Sequence, residues 1–349
     1  MSLSEKPAET AGRQAYYDRI DQRYLTPLWS VLNDVVTPEP RSGCQPHLWS
    51  FAEAKSLLLE AGGLITAKEA ERRVLVLENP GLRGRTRITT SLYAGLQLVL
   101  PGEVAPAHRH SQSALRFVLD GAGAHTTVDG ERAVMQVGDF VITPAKAWHD
   151  HGNGSGEPMI WLDGLDIPTV SFFDASFAET YPEDEQPVLR PDGDALARYG
   201  ANLLPVDHRP TRPSSPIFHY PYERAREALE AMRARTAWDP CHGLKMRYVN
   251  PVDGGAPMPT ISAFLQLLPK HFESSAYRST DATVFAVVEG GGTSVIDGRT
   301  FAWGPKDIFV VPSWKRVVHR AGTDAVLFSF SDRVAQQKLG LWREDRGNR

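Results

Sequence analysis

Cysteine is scarce in this chain: two residues, Cys44 and Cys241, among 349. They are far apart and neither sits in a metal-type spacing, so a disulfide framework and a thiolate metal site are both excluded, and a reducing compartment fits. No apolar run approaches the ~18 residues of a membrane-spanning helix. The polar opening stretch, residues 1–13, lacks the apolar centre of a secretory leader. Basic residues are not in excess, since the net charge is −4, which removes the electrostatic reason to expect a nucleic-acid partner. These absences predict a soluble cytoplasmic protein that binds neither nucleic acid nor membrane. The hydrophobic fraction of 42% is ordinary, and the length suits two domains or one large one.

What is present is a dense group of histidines within residues 101–153. Pro101-Gly-Glu-Val-Ala-Pro-Ala-His108-Arg-His110 opens the group, and Gly138-Asp-Phe-Val-Ile-Thr-Pro144-Ala-Lys-Ala-Trp-His149-Asp-His151-Gly-Asn153 closes it. Alternate residues of a strand share a face, so His108 and His110 point the same way and can coordinate one ion. His149 follows a separate turn-and-strand segment that a hairpin-built barrel would return to the same point. Three neutral imidazoles without a thiolate suit a divalent ion such as Fe(II), Mn(II), Ni(II) or Zn(II). The spacings Gly-x5-His-x-His and Gly-x5-Pro-x4-His-x3-Asn form the two-part signature of the cupin barrel. Two positions depart from it. Ala114 and Leu115 occupy the places where many cupins carry a glutamate ligand, and Lys146 replaces the glycine two residues after the motif proline. The first departure leaves an all-histidine site with open positions for substrate and dioxygen.

Along the chain, apolar spacing predicts one helix over 14–34 despite Pro27, a second over 51–61 stopped by Gly62-Gly63, and a short third N-capped by Thr66. Strands follow at 72–80, 87–100, 115–120, 125–128, 133–137, 140–143 and 159–165, with Asp129-Gly130 as a hairpin signal. Many short strands indicate an antiparallel barrel or jelly roll. Residues 174–216 turn polar and proline-rich and read as a surface linker. An amphipathic helix over 222–236 places Ala225, Leu229 and Met232 on one side. The pattern then repeats. Ala286-Val-Val-Glu-Gly290 overlays Phe117-Val-Leu-Asp-Gly121, and the run 305–312 overlays 137–144, which predicts two barrels from one chain. In the copy, Tyr277 and Ser279 stand in the places of His108 and His110, Lys306 replaces the motif glycine, and His319 is the one histidine near the places of His149 and His151. One histidine cannot hold a metal, so the second barrel is expected to be structural or an empty ligand pocket. The expected fold is all-β: a bicupin of two antiparallel jelly-roll barrels with a helical N-terminal segment and an inter-barrel helix. The segments are 1–70, 71–173 (first barrel, metal-binding), 174–244 (linker with helix), 245–332 (second barrel) and 333–349 (tail).

The block from Leu92 through Phe117, with Trp148-His-Asp-His-Gly-Asn153 and Trp161-Leu-Asp-Gly-Leu-Asp166, closely resembles the gentisate 1,2-dioxygenase family. Salicylate, nitrosalicylate and 1-hydroxy-2-naphthoate dioxygenases are its relatives. The resemblance covers most of the chain. It implies a non-haem Fe(II) enzyme, homotetrameric, that uses O2 to open a small aromatic acid between the carboxyl-bearing carbon and its hydroxyl-bearing neighbour. From gentisate the product is maleylpyruvate. It implies iron on His108, His110 and His149, and substrate-facing groups at Arg72, Gln97, Arg116, His151 and Asp163. A guanidinium suits carboxylate recognition. Arg116, six residues beyond His110, would share the ligand face if one strand ran through both, whereas only the resemblance selects Arg72 over Arg73. Asp163 could orient His151 as general base for the substrate's hydroxyl proton. Salicylate, 5-substituted salicylate or 1-hydroxy-2-naphthoate are alternative substrates, with discrimination expected around Val74, Tyr93 and Gly95. A non-catalytic metal-binding cupin and a Zn or Ni isomerase are the rival classes.

Overall fold

The structure, a computed structural model, describes residues 11–347. It separates into a short N-terminal unit ending at Arg41 and a large unit beginning at Ser42. In the short unit the single helix expected over 14–34 is two, Ala11–Asp21 and Leu28–Val35. Tyr24 takes a left-handed φ of 58°, and Pro27 caps the second helix. Proline lacks the amide proton and pushes its predecessor toward extended backbone, so the break falls where the chain cannot continue a helix. Leu28, Trp29, Leu32, Val35 and Val36 are exposed.

The first helix of the large unit, Phe51–Leu64, runs through the two glycines expected to stop it. Gly62 is needed for packing: a Cβ there would lie 3.2 Å from both Leu98 and Leu100 side chains. Thr66 caps the next helix, Ala67–Ala70, through a reciprocal capping box with Glu69.

The strands collect in two groups. In the first, a six-stranded antiparallel sheet runs in the order His219–Tyr220, Phe140–Thr143, Ala114–Asp120, Met159–Leu165, Tyr93–Val99, Val74–Val76. A five-stranded sheet packs on it, in the order Ala178–Thr180, Val104–His110, His149–Asn153, Ala124–Val128, Glu131–Val134. The second group repeats this with six strands, His47–Trp49, Ile308–Val311, Thr283–Glu289, Ala325–Ser331, Ser262–Leu268 and Leu244–Arg247. Its smaller sheet holds Arg299–Trp303, Gly292–Ile296 and Val317–Ala321. The hairpins turn at Asp129-Gly130 and Asp297-Gly298, where all four residues have positive φ, as a type I′ turn requires. Lys146 and Lys306, standing where the motif has glycine, keep the left-handed backbone at φ 66° and 73°.

Two short strands cross the boundaries expected from the sequence. His47–Trp49, upstream of the first group, pairs with Ile308–Val311 in the second. His219–Tyr220, within the expected linker, pairs with Phe140–Thr143 in the first. That linker also supplies Ala178–Thr180, which pairs with the ligand strand at residues 108–110. The 333–349 segment returns as a helix, Arg333–Lys338, and a strand, Glu344–Asp345, paired to Arg278–Ser279. The two groups share one core. Phe117 stacks on Phe328 with ring centroids 4.0 Å apart, and Phe140 tilts against the same ring at 5.5 Å. The helix Tyr222–Arg233 buries Leu229 in that core and rests Ala225 and Met232 against it.

Candidate active site

His108 and His110 lie on Val104–His110, and His149 starts the neighbouring strand, with His108 and His149 directly paired in the ladder. Their ring centroids stand 4.1 Å (108–149), 4.9 Å (110–149) and 5.2 Å (108–110) apart. One nitrogen from each ring converges within 4.8 Å of the others, and no fourth acidic or thiol group joins them among the described residues, as Ala114 and Leu115 led us to expect. Each Nδ1 faces a backbone carbonyl two residues away: Pro106 at 3.2 Å, Gln112 at 3.0 Å and Ala147 at 3.0 Å. For His110 and His149 that contact favours Nδ1–H and turns Nε2 inward as the free electron-pair donor; at His108 the Arg72 guanidinium, which can only donate, also lies against Nδ1. The Nε2 atom of His149 is buried without any hydrogen-bond partner, which a coordinated ion would resolve.

Burial is the main reason these imidazoles stay uncharged. It lowers His108 to about 3, helped by Arg72, and His110 to about 4. His149 is held well below its ordinary range by burial and then by the neighbouring His108 and Arg116. Neutral imidazole is the form that ligates metal. The residues therefore fit a divalent ion.

Arg116 is buried on Ala114–Asp120, in the opposite sheet from the ligands. The single strand through His110 and Arg116 considered above does not exist: the chain turns at residues 111–113, and Arg116 reaches the site from the other wall. Its Nη1 donates to Thr143 Oγ1 at 2.6 Å, its Nε lies 3.7 Å from Asp163 Oδ1, and that Nε has no hydrogen-bond acceptor. Asp163 sits directly across the ladder from Arg116 on one side and Gly95 on the other. Burial pushes its carboxyl up to about 6 against the pull of Arg116. Gln97 is buried two ladder pairs away, between Val74 and Trp161.

The two adjacent arginines separate. Arg73 turns away, forming a bidentate pair with Glu103 at 2.7 and 2.9 Å. Arg72 turns inward, donating to the Pro106 carbonyl at 2.6 Å beside the His108 ring. Burial and the like charge of Arg116 lower it to about 10. The expected pairing of His151 with Asp163 is replaced by another. Asp163 Oδ1 accepts from Trp161 Nε1 at 3.0 Å, while His151 Nδ1 lies 2.9 Å from Thr126 Oγ1. The Thr126 hydroxyl also points at Met135 Sδ, 3.6 Å away. With its proton so directed, the hydroxyl accepts from His151 Nδ1–H and leaves Nε2 as the basic atom. That Nε2 is buried and unpartnered, and the ring is kept neutral by burial and Arg116. Thr126 had no signal in the sequence, since threonine is common in any strand. Val74, Tyr93 and Gly95 do come together: a Cβ on Gly95 would lie 2.4 Å from Val74 Cγ1 and 3.0 Å from the Tyr93 hydroxyl.

A mostly β scaffold carrying a three-histidine site is the arrangement of a metal-dependent cupin, and residues 95–165 match the cupin domain family. Along its whole length the chain is 68% identical over 346 residues to gentisate 1,2 dioxygenase 1 of Aquipseudomonas alcaligenes, covering 99% of this chain and 100% of that one. It is 37% identical to 5-aminosalicylate 1,2-dioxygenase of a Comamonas species, with 95% and 89% covered. The salicylate 1,2-dioxygenase of Pseudoaminobacter salicylatoxidans, solved with gentisate, superposes with a TM-score of 0.93 at 34% identity, over 100% of this chain and 98% of that one. The chain belongs to the gentisate 1,2-dioxygenase family of ring-cleaving dioxygenases, and is an enzyme of that oxidoreductase class.

Proposed function

We propose that this enzyme opens gentisate with O2 between the carboxyl-bearing and adjacent hydroxyl-bearing carbons, giving maleylpyruvate. The observation that carries the reading is one cluster of three neutral histidines, a carboxylate-seeking guanidinium at Arg116 and an unpartnered basic nitrogen on His151. The 68% identity to a gentisate dioxygenase supports the choice of substrate. We read the metal as Fe(II) on His108, His110 and His149; when bound, it supplies the redox chemistry with dioxygen and a Lewis-acid site for the substrate oxygens.

The protein's own residues supply binding, charge and proton handling. Arg116, whose Nε has no acceptor, binds the substrate carboxylate, and Arg72 is close enough to turn from the Pro106 carbonyl and share it. Asp163 fixes the Arg116 fork. His151 Nε2 takes the proton of the 2-hydroxyl, with Thr126 holding the ring in the required tautomer. Gln97 lines the wall between these groups, and Val74, Tyr93 and Gly95 shape the end that discriminates ring substituents. Both oxygen atoms enter the product, so no further reductant is required.

We also read the two strand groups as the two jelly-roll barrels of a bicupin, the first catalytic. The assembly is a homotetramer, for which the exposed apolar residues between 25 and 36 offer surface. A cytoplasmic setting is supported by two buried free thiols; among the described residues no helix is long and apolar enough to cross a membrane.

The test is oxygen uptake by the Fe(II)-reconstituted protein on gentisate, salicylate and 5-substituted salicylates, with ultraviolet spectra in parallel. Uptake with gentisate and a new keto-acid absorbance is the expected result. Uptake confined to salicylates without the 5-hydroxyl would move the substrate assignment, and no uptake with any of them would overturn the reading.

A further inference from the structure

The strand registers locate, in the second barrel, the counterparts of most site residues of the first. Tyr277 bridges to Val317 as His108 pairs with His149, so the metal ligands are replaced by Tyr277, Ser279 and Val317. His319 lies opposite Ser294 as His151 lies opposite Thr126. Their side chains repeat the same contact, His319 Nδ1 to Ser294 Oγ at 2.7 Å. His319 is therefore the counterpart of His151 and not of a ligand. Gln266 takes the place of Gln97, and Phe285 that of Arg116. The copy has lost the guanidinium on that strand and gained an amine three strands along the same sheet, because Lys245 occupies the ladder position of Val74.

Lys245 faces a small cavity of about 30 Å³ that Tyr277, Ser279, His319 and Arg333 also line. In a volume of this kind one water needs ~10–15 Å³, so the space holds two or three waters, or one compact ion, and no aromatic ring. Asp281 also lines the cavity, but its contacts are with other groups: Arg333 lies 3.5 Å from it and Trp342 Nε1 donates to it at 2.7 Å. Arg333 donates to the Tyr277 hydroxyl at 2.7 Å, and that hydroxyl donates to Glu344 at 2.9 Å. Lys315 pairs with Asp297, and Arg278 with Asp345. Among the described residues no carboxylate forms an ion pair with Lys245; Asp281, Asp239 and Glu344 act on it only from a distance. The Lys245 ammonium lies 4.7 Å from the Phe264 ring centre and 5.9 Å from that of Phe285. An ammonium half-removed from water without a counter-charge is costly. Burial and then Arg333 lower this one to about 7, and both histidines of the cavity are kept uncharged by burial. Gln266 Nε2 donates to the His242 carbonyl at 2.7 Å, which orients the amide, and its Oε1 is buried without a donor.

We propose that the second barrel is an anion site: one small monoanion, a halide or a one-carbon carboxylate such as formate or bicarbonate, sits against Lys245 in the place where the first barrel carries its metal. Lys245 supplies the counter-charge, Arg333 adds a donor at the rim through its Nε, which has no hydrogen-bond acceptor, and the duplicated barrel has exchanged a cation site for an anion site. The proposal does not depend on which aromatic acid the first barrel turns over.

Two measurements test it on the iron-loaded protein. Crystals soaked in sodium bromide should show an anomalous peak in hydrogen-bond reach of Lys245 Nζ; an empty cavity at saturating bromide would overturn the proposal. Thermal unfolding in sodium formate, with sodium sulfate holding ionic strength constant, should show Tm rising by several degrees, as binding to the native state demands. The rise should disappear in Lys245→Met. Because the first barrel is unchanged in that variant, formate acting at the iron would raise both proteins equally, and an equal rise would count against the site. If Lys245→Met does not fold, the bromide peak in the unaltered protein decides the matter.

Discussion

At Arg116 the sequence suggested the wrong geometry. Its guanidinium is buried and acts on the clustered histidines, as the proposed carboxylate role needs, yet it arrives from the sheet opposite His110. Hydrogen bonds to a charged partner contribute roughly 1.5–3 kcal/mol, so Arg116→Ala should raise KM for gentisate by about 10–150-fold while iron content stays at the wild-type level. A fall in kcat with unchanged KM would contradict the carboxylate role. Thr126→Val removes the acceptor that fixes the His151 tautomer. It should lower kcat at least about tenfold, within the range general-base catalysis supplies, and leave KM nearly unchanged. Asp163 gives a pH signature. Burial raises it from 3.8 to about 6, so between those values the folded chain keeps a proton that the unfolded chain has released. Its contribution to stability therefore falls as pH rises through that window. Its ionised form is the one that holds Arg116. The profile of kcat/KM should show an acid limb with a midpoint near pH 6, and Asp163→Asn should flatten it; a limb that survives the substitution would assign it to another group. The ligands themselves were legible because a strand's period of two and flanking motif glycines leave few alternatives. Thr126 and the inward turn of Arg72 were not, since both depend on pairings between strands far apart in sequence.

At the scale of elements, the strand-rich regions, the Thr66 cap and the Asp-Gly hairpins follow from local preference and were readable. The misreadings have separate causes: tertiary packing, backbone chemistry and strands too short to show a period. Gly62 should end a helix by propensity, but close contact with Leu98 and Leu100 holds it inside one. A helix through Pro27 matched the apolar spacing, and backbone chemistry broke it. Three-residue strands such as His47–Trp49 carry too few positions for a period, so their pairing with a distant barrel could not be seen. The Phe117–Phe328 stack makes an element-scale prediction. Phe328→Ala, a buried aromatic truncation, should cost about 3–5 kcal/mol in equilibrium unfolding. Both barrels should lose stability together, because the ring sits in their common core. Unfolding in two separated transitions, with the catalytic barrel unaffected, would argue against that coupling.

For the whole molecule, the duplication was legible from residues 286–290 and 305–312, whereas the correspondence of His319 with His151 emerged only from the ladder. The assembly prediction belongs at this scale. Replacing Trp29 and Leu32 together by Glu should shift the protein from tetramer to smaller species in sedimentation velocity, and an unchanged tetramer would place the contact elsewhere.

The exchange of short strands also governs how the chain can be made. The first barrel's large sheet is not complete until residues 219–220 have left the ribosome, and the second closes with residues 47–49, which are synthesised long before it. The catalytic half must wait, part-finished, with an open sheet edge and an unfilled face at Phe117 while the linker emerges, during the interval when exposed edges invite aggregation. A gene cut near residue 173 would leave each product missing an outer strand of its partner's making. Because the two strand groups exchange outer strands and share the Phe117–Phe328 stack, neither half is expected to fold when separated from the other.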